Sequence, residues 1–393
     1  MDFGYSAEEE AFRDEVRDWL DRHLVGEFTA LGTGAEFSAD DWKVRVAWEQ
    51  ELGRGGWIGL SWPRAHGGRE ASPIQELVFA EEYAWARGPT RAGTFGEGLL
   101  GPTLIHFGTE EQRTRFLAPI RSGEEFWCQG FSEPSAGSDL AALSTRARLE
   151  GNEWVVDGQK VWTSQAQYAD WIFALCRTES SAPKHRGISF LLLPMDQPGI
   201  EVRPLVEMTG GDHFCEVFFD HARTPAEMIV GTPGDGWRIA MATLGFERGT
   251  AFIGQLRRYA DEWHRLRKLA GERGQLDDPV MRQRFAESYI GLEIMRFGAS
   301  RTITNVARAG RPGPEASIGK LQWSQWHQQL GELATDVLGA EATLHDDTAS
   351  LLHDLQHTFL FSRAHTIYAG SSQVQRNIIG ERVLGLPKEP GPR

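Results

Sequence analysis

The spacing of apolar positions divides the chain into three regions. In the first, apolar residues recur at helical spacing after Ser6 and Glu9, a pair that can form a capping box at the start of a helix. Residues 55–68, rich in glycine and proline, predict a loop. This region is predicted to be helical, with further helices near residues 40–52, 74–86 and 110–120.

The pattern changes in the second region. Polar and apolar residues alternate over residues 146–150, a Gly-Asn turn signal follows at Gly151, and a second alternating stretch comes after it. We expect a small antiparallel β-domain here, either a sandwich or a barrel. More buried strands are predicted at residues 171–176, 188–193 and 216–220.

Helical spacing returns in the third region. One face of a long helix is marked by Trp237, Met241, Leu244 and Ala251. Two more helices are predicted at residues 318–338 and 351–368. The chain therefore reads as a helical domain, a β-domain and a second helical domain, with bounds at residues 1–127, 128–234 and 235–393.

Composition excludes several classes of function. The 393 residues carry a formal net charge of −14, which argues against a nucleic-acid partner because such partners need a basic face. The longest apolar run is far too short to span a membrane. Three cysteines without metal-binding spacing fit a reducing compartment, and the acidic N-terminus lacks a signal-peptide pattern. We expect a cytoplasmic protein.

Metal and dinucleotide motifs are weak. His353 and His357 are one helical turn apart with His365 nearby, but no glutamate stands beside them, so surface histidines are favoured over a zinc site. No metal is expected. No GxGxxG follows a predicted strand, so a nucleotide cofactor would not be bound in the Rossmann manner.

Three stretches could carry chemistry. "CQGFSEPSAGSDL" (residues 128–140) combines small and hydroxyl residues, and "QKVWTSQA" (residues 159–166) places a tryptophan beside two hydroxyls at a strand end. "TIYAGSSQVQRNIIGERVLGLP" (residues 366–387) predicts a tight turn that leads into a helix. An aromatic ring beside short hydrogen-bond donors suits a flat heterocycle, although either of the first two stretches alone is a weak signal.

Together these stretches resemble the acyl-CoA dehydrogenase family, and the resemblance covers residues 8–387. It rests on six motifs in family order: "GWIGLSWPRAHGG", "FGTEEQRTRFLAPIRSGE", "QGFSEPSAGSDLA", "GQKVWTSQAQYADW", "EVFFDHARTP" and "IYAGSSQVQRNIIGERVLGLP". The resemblance implies a mainly α fold with a helical N-terminal domain, a central β-barrel and a C-terminal four-helix bundle. It also implies FAD bound between barrel and bundle.

The resemblance further implies roles for single residues. Ser138 would lie toward the pantetheine arm of an acyl thioester. The isoalloxazine ring of the flavin would contact Phe131, Ser132, Trp162 and Ser164, and the ribityl or adenosine part would contact Ser371 and Gln373.

The implied reaction is α,β-desaturation of an acyl thioester to the 2,3-enoyl thioester, with the β-hydride passed to flavin N5. The backbone N–H of Ala369 would stabilise charge on the thioester oxygen, between Tyr368 and Gly370 on the substrate side. Many family members carry their catalytic carboxylate at the position of this alanine. A second branch places it on a long C-terminal helix, where this chain has Glu247 beside Arg248. We therefore expect Glu247 to be the base and Arg248 to lie at the substrate; an ion pair that merely holds the bundle is the alternative.

Two departures from the family pattern concern the adenine end of FAD and the subunit arrangement. Residues 264–285 lack an Arg-x-x-Phe-Gly segment, and "DVLGAE" (residues 336–341) replaces a Gln-x-x-Gly-Gly element. The pattern is similar to an actinobacterial branch that includes sterol side-chain dehydrogenases, some of them heterotetramers. A homotetramer, a homodimer and a heterotetramer with a related subunit stay open.

The expected substrate is an acyl-CoA or a carrier-protein thioester, and the expected electron acceptor is an electron-transfer flavoprotein. Two alternatives remain: a non-catalytic partner subunit of a heterotetrameric dehydrogenase, and a flavin monooxygenase or oxidase on the same fold.

Overall fold

A computed structural model describes residues 5–31, 38–246, 251–309, 313–314, 316–344 and 350–388. The chain forms two compact units, Met1–Glu247 and Arg248–Arg393. Each unit has its own hydrophobic core, and each is described separately below.

The first unit begins with helices whose starts are fixed by side-chain caps. Ser6 accepts a hydrogen bond from the N–H of Glu9, whose carboxylate accepts one from the N–H of Ser6, so the predicted capping box is confirmed. Boxes of the same kind open the helices that begin at Ala39, Pro73 and Glu110. The helices are α1 (Ala7–His23), α2 (Glu27–Ala30), α3 (Ala39–Arg54), α4 (Pro73–Trp85), α5 (Gly101–Phe107) and α6 (Glu110–Ser122).

A sheet of eight strands follows. The strands are β1 (Trp127–Gly130), β2 (Arg146–Glu150), β3 (Glu153–Ser164), β4 (Trp171–Arg177), β5 (Ile188–Pro194), β6 (Ile200–Leu205), β7 (Phe214–Pro225) and β8 (Ile229–Val230). Their order in the sheet is β6-β7-β3-β2-β4-β5-β8, and β1 pairs with β4 outside this order.

The sheet differs from the expected barrel in two respects. No pairing joins β6 to β8 among the described residues, so the sheet is not closed. It is also not purely antiparallel, since β1 and β2 both pair in parallel with β4. β1 was not predicted, because four residues are too few to show a periodic pattern.

The long helix predicted from residue 237 is described in two parts. α7 (Gly236–Phe246) belongs to the first unit, where it packs on β5 and on α5. The hydroxyls of Thr103 on α5 and Thr243 on α7 are 2.8 Å apart and buried. α8 (Ala251–Glu272) begins the second unit, and residues 247–250 lie outside the described part of the chain.

The second unit is helical. α10 (Ala316–Leu338) packs against α8, against α9 (Pro279–Ala309) and against α11 (Leu351–His365), and α12 (Ser372–Ile378) also packs on it. α11 ends at His365, three residues before the predicted end at Tyr368, because the chain turns there toward α12. No helix in the described ranges is both long enough and apolar enough to cross a membrane.

Candidate functional site

Trp162 lies at an irregular point of β3. The pairing of β3 with β7 shifts register between Lys160 and Thr163, and Trp162 has a φ of +60° within this bulge. A bulky residue at positive φ is strained, and a bulge redirects the side chain that it carries. The indole ring is 60% exposed and makes an edge-to-face contact with Phe214 at 5.8 Å. The bulge therefore presents a flat aromatic surface outward.

The loop after β1 is attached to β3 beside this bulge. The carbonyl oxygen of Ser132 accepts a hydrogen bond of 3.0 Å from the N–H of Val161. The structure thus brings Ser132 close to the residue before Trp162, and the contacts of both residues with a flavin stay predictions. The ring of Phe131, in contrast, is buried and packs edge-on against Phe173 and Phe190, and its carbonyl oxygen accepts a hydrogen bond of 3.3 Å from Nζ of Lys160.

A buried ion pair fixes the same loop. The Nζ of Lys160 lies 2.7 Å from Oε1 of Glu133, and both side chains are almost fully buried. The carboxylate also accepts hydrogen bonds from the N–H and hydroxyl of Ser144 and from the N–H of Thr145. Burial raises the pKa of Glu133, but Lys160 and these donors outweigh burial and lower the pKa to about 2. Sequence reasoning missed the pair, although both residues stand in the quoted motifs.

The remaining predicted residues of the first unit differ in exposure. Ser164 is half-buried and pairs with Phe214 at the end of β3, two residues beyond Trp162. Ser138 is exposed, in the loop that carries Ser132.

The C-terminal turn has an unusual backbone at its centre. Ala369 has a φ of +50° and Gly370 a φ of +87°. The side-chain amide of Gln375, which is buried, donates hydrogen bonds of 3.0 Å to the carbonyl oxygen of Ala369 and 3.3 Å to that of Gly370. Among the described residues no acceptor lies within hydrogen-bond distance of the N–H groups of Ala369, Gly370 and Ser371. The turn is thus held through its carbonyl groups, and the N–H of Ala369 is one of three that are left available.

Two glutamines on the helix after the turn differ in burial and in contacts. Ser371 caps α12, because its hydroxyl accepts a hydrogen bond from the N–H of Val374. Gln373, predicted to contact the cofactor, is exposed. Gln375, which was not singled out, is the glutamine that fixes the turn. The spacing of apolar residues along α12 could have shown which glutamine is buried, but a helix of seven residues is too short for such a pattern.

A polar cluster beneath this turn was also missed. His365, which the sequence groups with surface histidines, is buried, and its Nδ1 lies 3.0 Å from Nδ1 of His327 on α10. The Nε2 of His327 lies 2.7 Å from the carboxylate of Glu262 on α8. These three residues are far apart in sequence, so no local pattern predicts their contact.

The predicted base and its neighbour, Glu247 and Arg248, lie outside the described residues. Their assignment stays a prediction.

Family models match almost the whole chain. The N-terminal domain of acyl-CoA dehydrogenases matches residues 6–124, the middle domain residues 128–222 and the C-terminal domain residues 234–384. These three matches follow one another in family order.

Curated proteins and solved structures agree with this match. Acyl-CoA dehydrogenase IpdE1 of Mycobacterium tuberculosis is 50% identical over 384 residues, which cover 97% of this chain and 98% of that protein. IpdE1 of Mycolicibacterium smegmatis is 49% identical over 397 residues, 97% of this chain and 99% of that protein.

Among solved structures, the Tcur3481-Tcur3483 steroid ACAD has a TM-score of 0.85 at 29% identity and covers 99% of this chain and 100% of its own. The ChsE4-ChsE5 complex of Mycobacterium tuberculosis has a TM-score of 0.84 at 29% identity, with the same coverage. The chain belongs to the acyl-CoA dehydrogenase family of oxidoreductases, and it resembles the mycobacterial members of that family.

Proposed function

We propose that the chain is an FAD-dependent dehydrogenase that converts an acyl thioester into its 2,3-enoyl thioester. The observation that carries the proposal is the turn at Ala369, in which the carbonyl groups are engaged by Gln375 and the N–H of Ala369 is left available. A fixed backbone donor of this kind suits a carbonyl oxygen that gains negative charge during a reaction.

The residues of the first unit fit a flavin. The exposed ring of Trp162, aimed outward by the bulge, offers a stacking surface for a planar heteroaromatic ring. Ser132 and Ser164 offer short polar contacts beside it, and Phe131 would contribute its backbone. In the second unit, Ser371 and Gln373 would contact the remainder of the cofactor. FAD, when bound, supplies the acceptor for the β-hydride.

The chain itself would handle the α-proton and the developing charge. Removal of the α-proton places an enolate-like charge on the thioester oxygen, toward which the N–H of Ala369 would donate. Glu247 would take the proton, since the side chain at residue 369 is a methyl group. Ser138, Arg248, Tyr368 and Gly370 would line the substrate.

The test of this proposal uses the purified flavoprotein under anaerobic conditions. A suitable acyl-CoA is expected to bleach the flavin absorbance of the parent, and Glu247→Gln is expected to slow bleaching by at least about 100-fold, because a general base contributes 10²–10⁴-fold. Glu272→Gln, an exposed position at the end of α8, serves as the matched control. Bleaching of Glu247→Gln at the control's rate would refute the base assignment.

A heteromeric assembly is proposed as well. The similar Tcur3481-Tcur3483 and ChsE4-ChsE5 structures each contain two different proteins. This supports a heterotetramer with a related subunit over a homotetramer or homodimer. Co-expression with a related chain is expected to yield one complex of defined mass by light scattering. A chain that binds no FAD in any assembly would instead be the non-catalytic partner.

The electron acceptor is proposed to be an electron-transfer flavoprotein. Reoxidation of the reduced flavin by air is then expected to be slow compared with reoxidation by that protein. Rapid reoxidation by air would favour the oxidase or monooxygenase alternative. Parallel assays with acyl-CoA and with an acyl carrier-protein thioester would decide the substrate carrier.

A further inference from the structure

Two buried histidines and a partly buried glutamate form a continuous chain of hydrogen bonds beneath the C-terminal turn. It runs from Glu262 on α8 to His327 on α10 and on to His365, the last residue of α11. The two imidazole rings are nearly parallel, with an interplanar angle of 13°. His327 is 4% exposed and His365 is 2% exposed, so water does not compete for these bonds.

The geometry fixes where the protons are. The pKa of Glu262 is lowered, since His327 and Arg258 outweigh the effect of burial, and the carboxylate is therefore an acceptor. The Nε2 of His327 must then carry a proton. The Nδ1···Nδ1 contact of 3.0 Å holds one proton, which a neutral His327 accepts from His365 and a protonated His327 donates to His365. The carboxylate thus fixes the proton on Nε2 of His327, and the contact with Nδ1 of His327 determines which nitrogen of His365 carries a proton.

The far end of this chain is attached to the turn that carries Ala369. The carbonyl oxygen of His365 accepts a hydrogen bond of 2.6 Å from Nζ of Lys320. The ring of His365 meets the ring of Tyr368 edge-on at 5.5 Å. The N–H of Tyr368 donates to the carbonyl oxygen of Ala364, one residue before His365. A change in the orientation of the His365 ring would therefore move the residues that lead into Ala369.

We propose that Glu262, His327 and His365 form a positioning relay that orients the peptide N–H of Ala369 toward the thioester oxygen, an inference that rests on the proposed dehydrogenase function. Glu262 determines where His327 carries its proton, and His327 determines where His365 carries its proton. His365 contacts Tyr368, which leads into the turn. None of the three contacts the reacting atoms in this role. They act through the backbone of residues 366–370.

The charges around the relay keep His365 neutral. Burial lowers the pKa of His365 to about 2, and His327, Arg258, Lys320 and His357 add to this effect. Arg258 and Glu262 face the relay from α8, Lys320 from α10 and His357 from α11, and Tyr368 faces it from the turn. His365 therefore keeps a single charge state throughout the neutral pH range.

The experiment compares the full-length holoprotein with Glu262→Gln and with a matched control on the same helix, Glu272→Gln. A neutral amide can donate a hydrogen bond to His327 as well as accept one from it. In Glu262→Gln either tautomer of His327 can therefore bond to residue 262, while the side-chain volume stays nearly the same. Histidine side-chain ¹⁵N spectra report the tautomers between pH 6 and pH 8, and His327→Gln assigns the signals.

In the parent we expect a proton on Nε2 of His327 and a single proton between the two Nδ1 atoms across this range. In Glu262→Gln we expect both signals to change, with faster amide exchange in peptides that cover residues 366–372. We also expect kcat for the acyl-CoA that bleaches the parent to fall about 10-fold, with KM changed by less than about twofold, because a misplaced donor weakens the transition state more than substrate binding. Glu272→Gln should change none of these.

An Nε2 of His327 that carries no proton in the parent would overturn the proposal. Equal exchange rates and equal kcat in Glu262→Gln and Glu272→Gln would overturn it too. The spectra and the exchange rates need no substrate. If no acyl-CoA bleaches the parent flavin, the proposed function fails while these two measurements still decide whether the relay controls the turn.

Discussion

The buried pair of Glu133 and Lys160 gives the sharpest prediction for stability. Lys160→Met keeps most of the side-chain volume but removes the positive charge 2.7 Å from the carboxylate. Glu133 would then keep only the hydrogen bonds that it accepts from the N–H and hydroxyl of Ser144 and from the N–H of Thr145. Because an unpaired charge stays buried, we expect a loss of about 3–5 kcal/mol in the free energy of unfolding at pH 7.

The pH dependence follows from the pKa of Glu133. The folded protein has a pKa of about 2 where the unfolded chain has 4.5, a difference worth about 3 kcal/mol. Because the folded pKa is the lower one, this stability is present above pH 4.5 and is lost as the pH falls toward 2. Lys160→Met removes the main cause of the low pKa. The loss in free energy of unfolding caused by Lys160→Met should therefore be about 2 kcal/mol smaller at pH 3 than at pH 7.

Urea unfolding followed by circular dichroism at pH 7 and pH 3, at one protein concentration, measures both effects. Lys184→Met is the matched control, because Lys184 pairs with Asp139 at the surface and both side chains are about half exposed or more. Its loss should stay within about 0.5 kcal/mol at either pH. Equal losses for the two variants at pH 7, or a Lys160→Met penalty that does not change with pH, would refute the reasoning.

Three further variants test the candidate site. Gln375→Leu should lower the free energy of unfolding by about 1–3 kcal/mol in urea, because two hydrogen bonds to carbonyl groups of the turn are lost. The exposed Gln373→Leu should stay within about 0.5 kcal/mol, and equal losses would contradict this assignment. Gly370→Ala should lose about 1–3 kcal/mol, since φ is +87° and the new Cβ would lie 2.6 Å from Nε2 of Gln375; an unchanged Tm argues against the turn described. Trp162→Ala should weaken FAD binding to the apoprotein about 10-fold in a fluorescence titration while stability changes little, because the ring is 60% exposed; unchanged affinity would remove Trp162 from the cofactor site.

Periodic patterns predicted most elements of the fold. The predicted strand at residues 171–176 is β4, and the predicted helix at 318–338 matches α10 within two residues. Such elements bury one face or both, so their sequences repeat with the period of the structure. The sequence did not predict the parallel pairing of β1 with β4 or the open edges of the sheet, because pairing between distant strands leaves no local pattern.

The residues predicted for the candidate site are those that stand in motifs, and the residues that sequence reasoning missed are those defined by distant contacts. The segments of Ser132 and Trp162 lie together in the structure, and their roles toward a cofactor stay predictions. Gln375 and the His327–His365 contact were not, because each depends on a partner brought close only by the fold. The positive φ of Trp162 could not be predicted either, since it arises from the register shift between β3 and β7.

The way the turn at residue 369 is held has an evolutionary consequence. Gln375 bonds to main-chain oxygens, and these are the same whichever side chain stands at 369. The side chain at this position is exposed and does not support the turn. A carboxylate can therefore be gained or lost there without a change in the bonds that hold the turn. In the proposed mechanism, acid–base chemistry and charge stabilisation reside in different parts of the chain, so a lineage can relocate one without rebuilding the other.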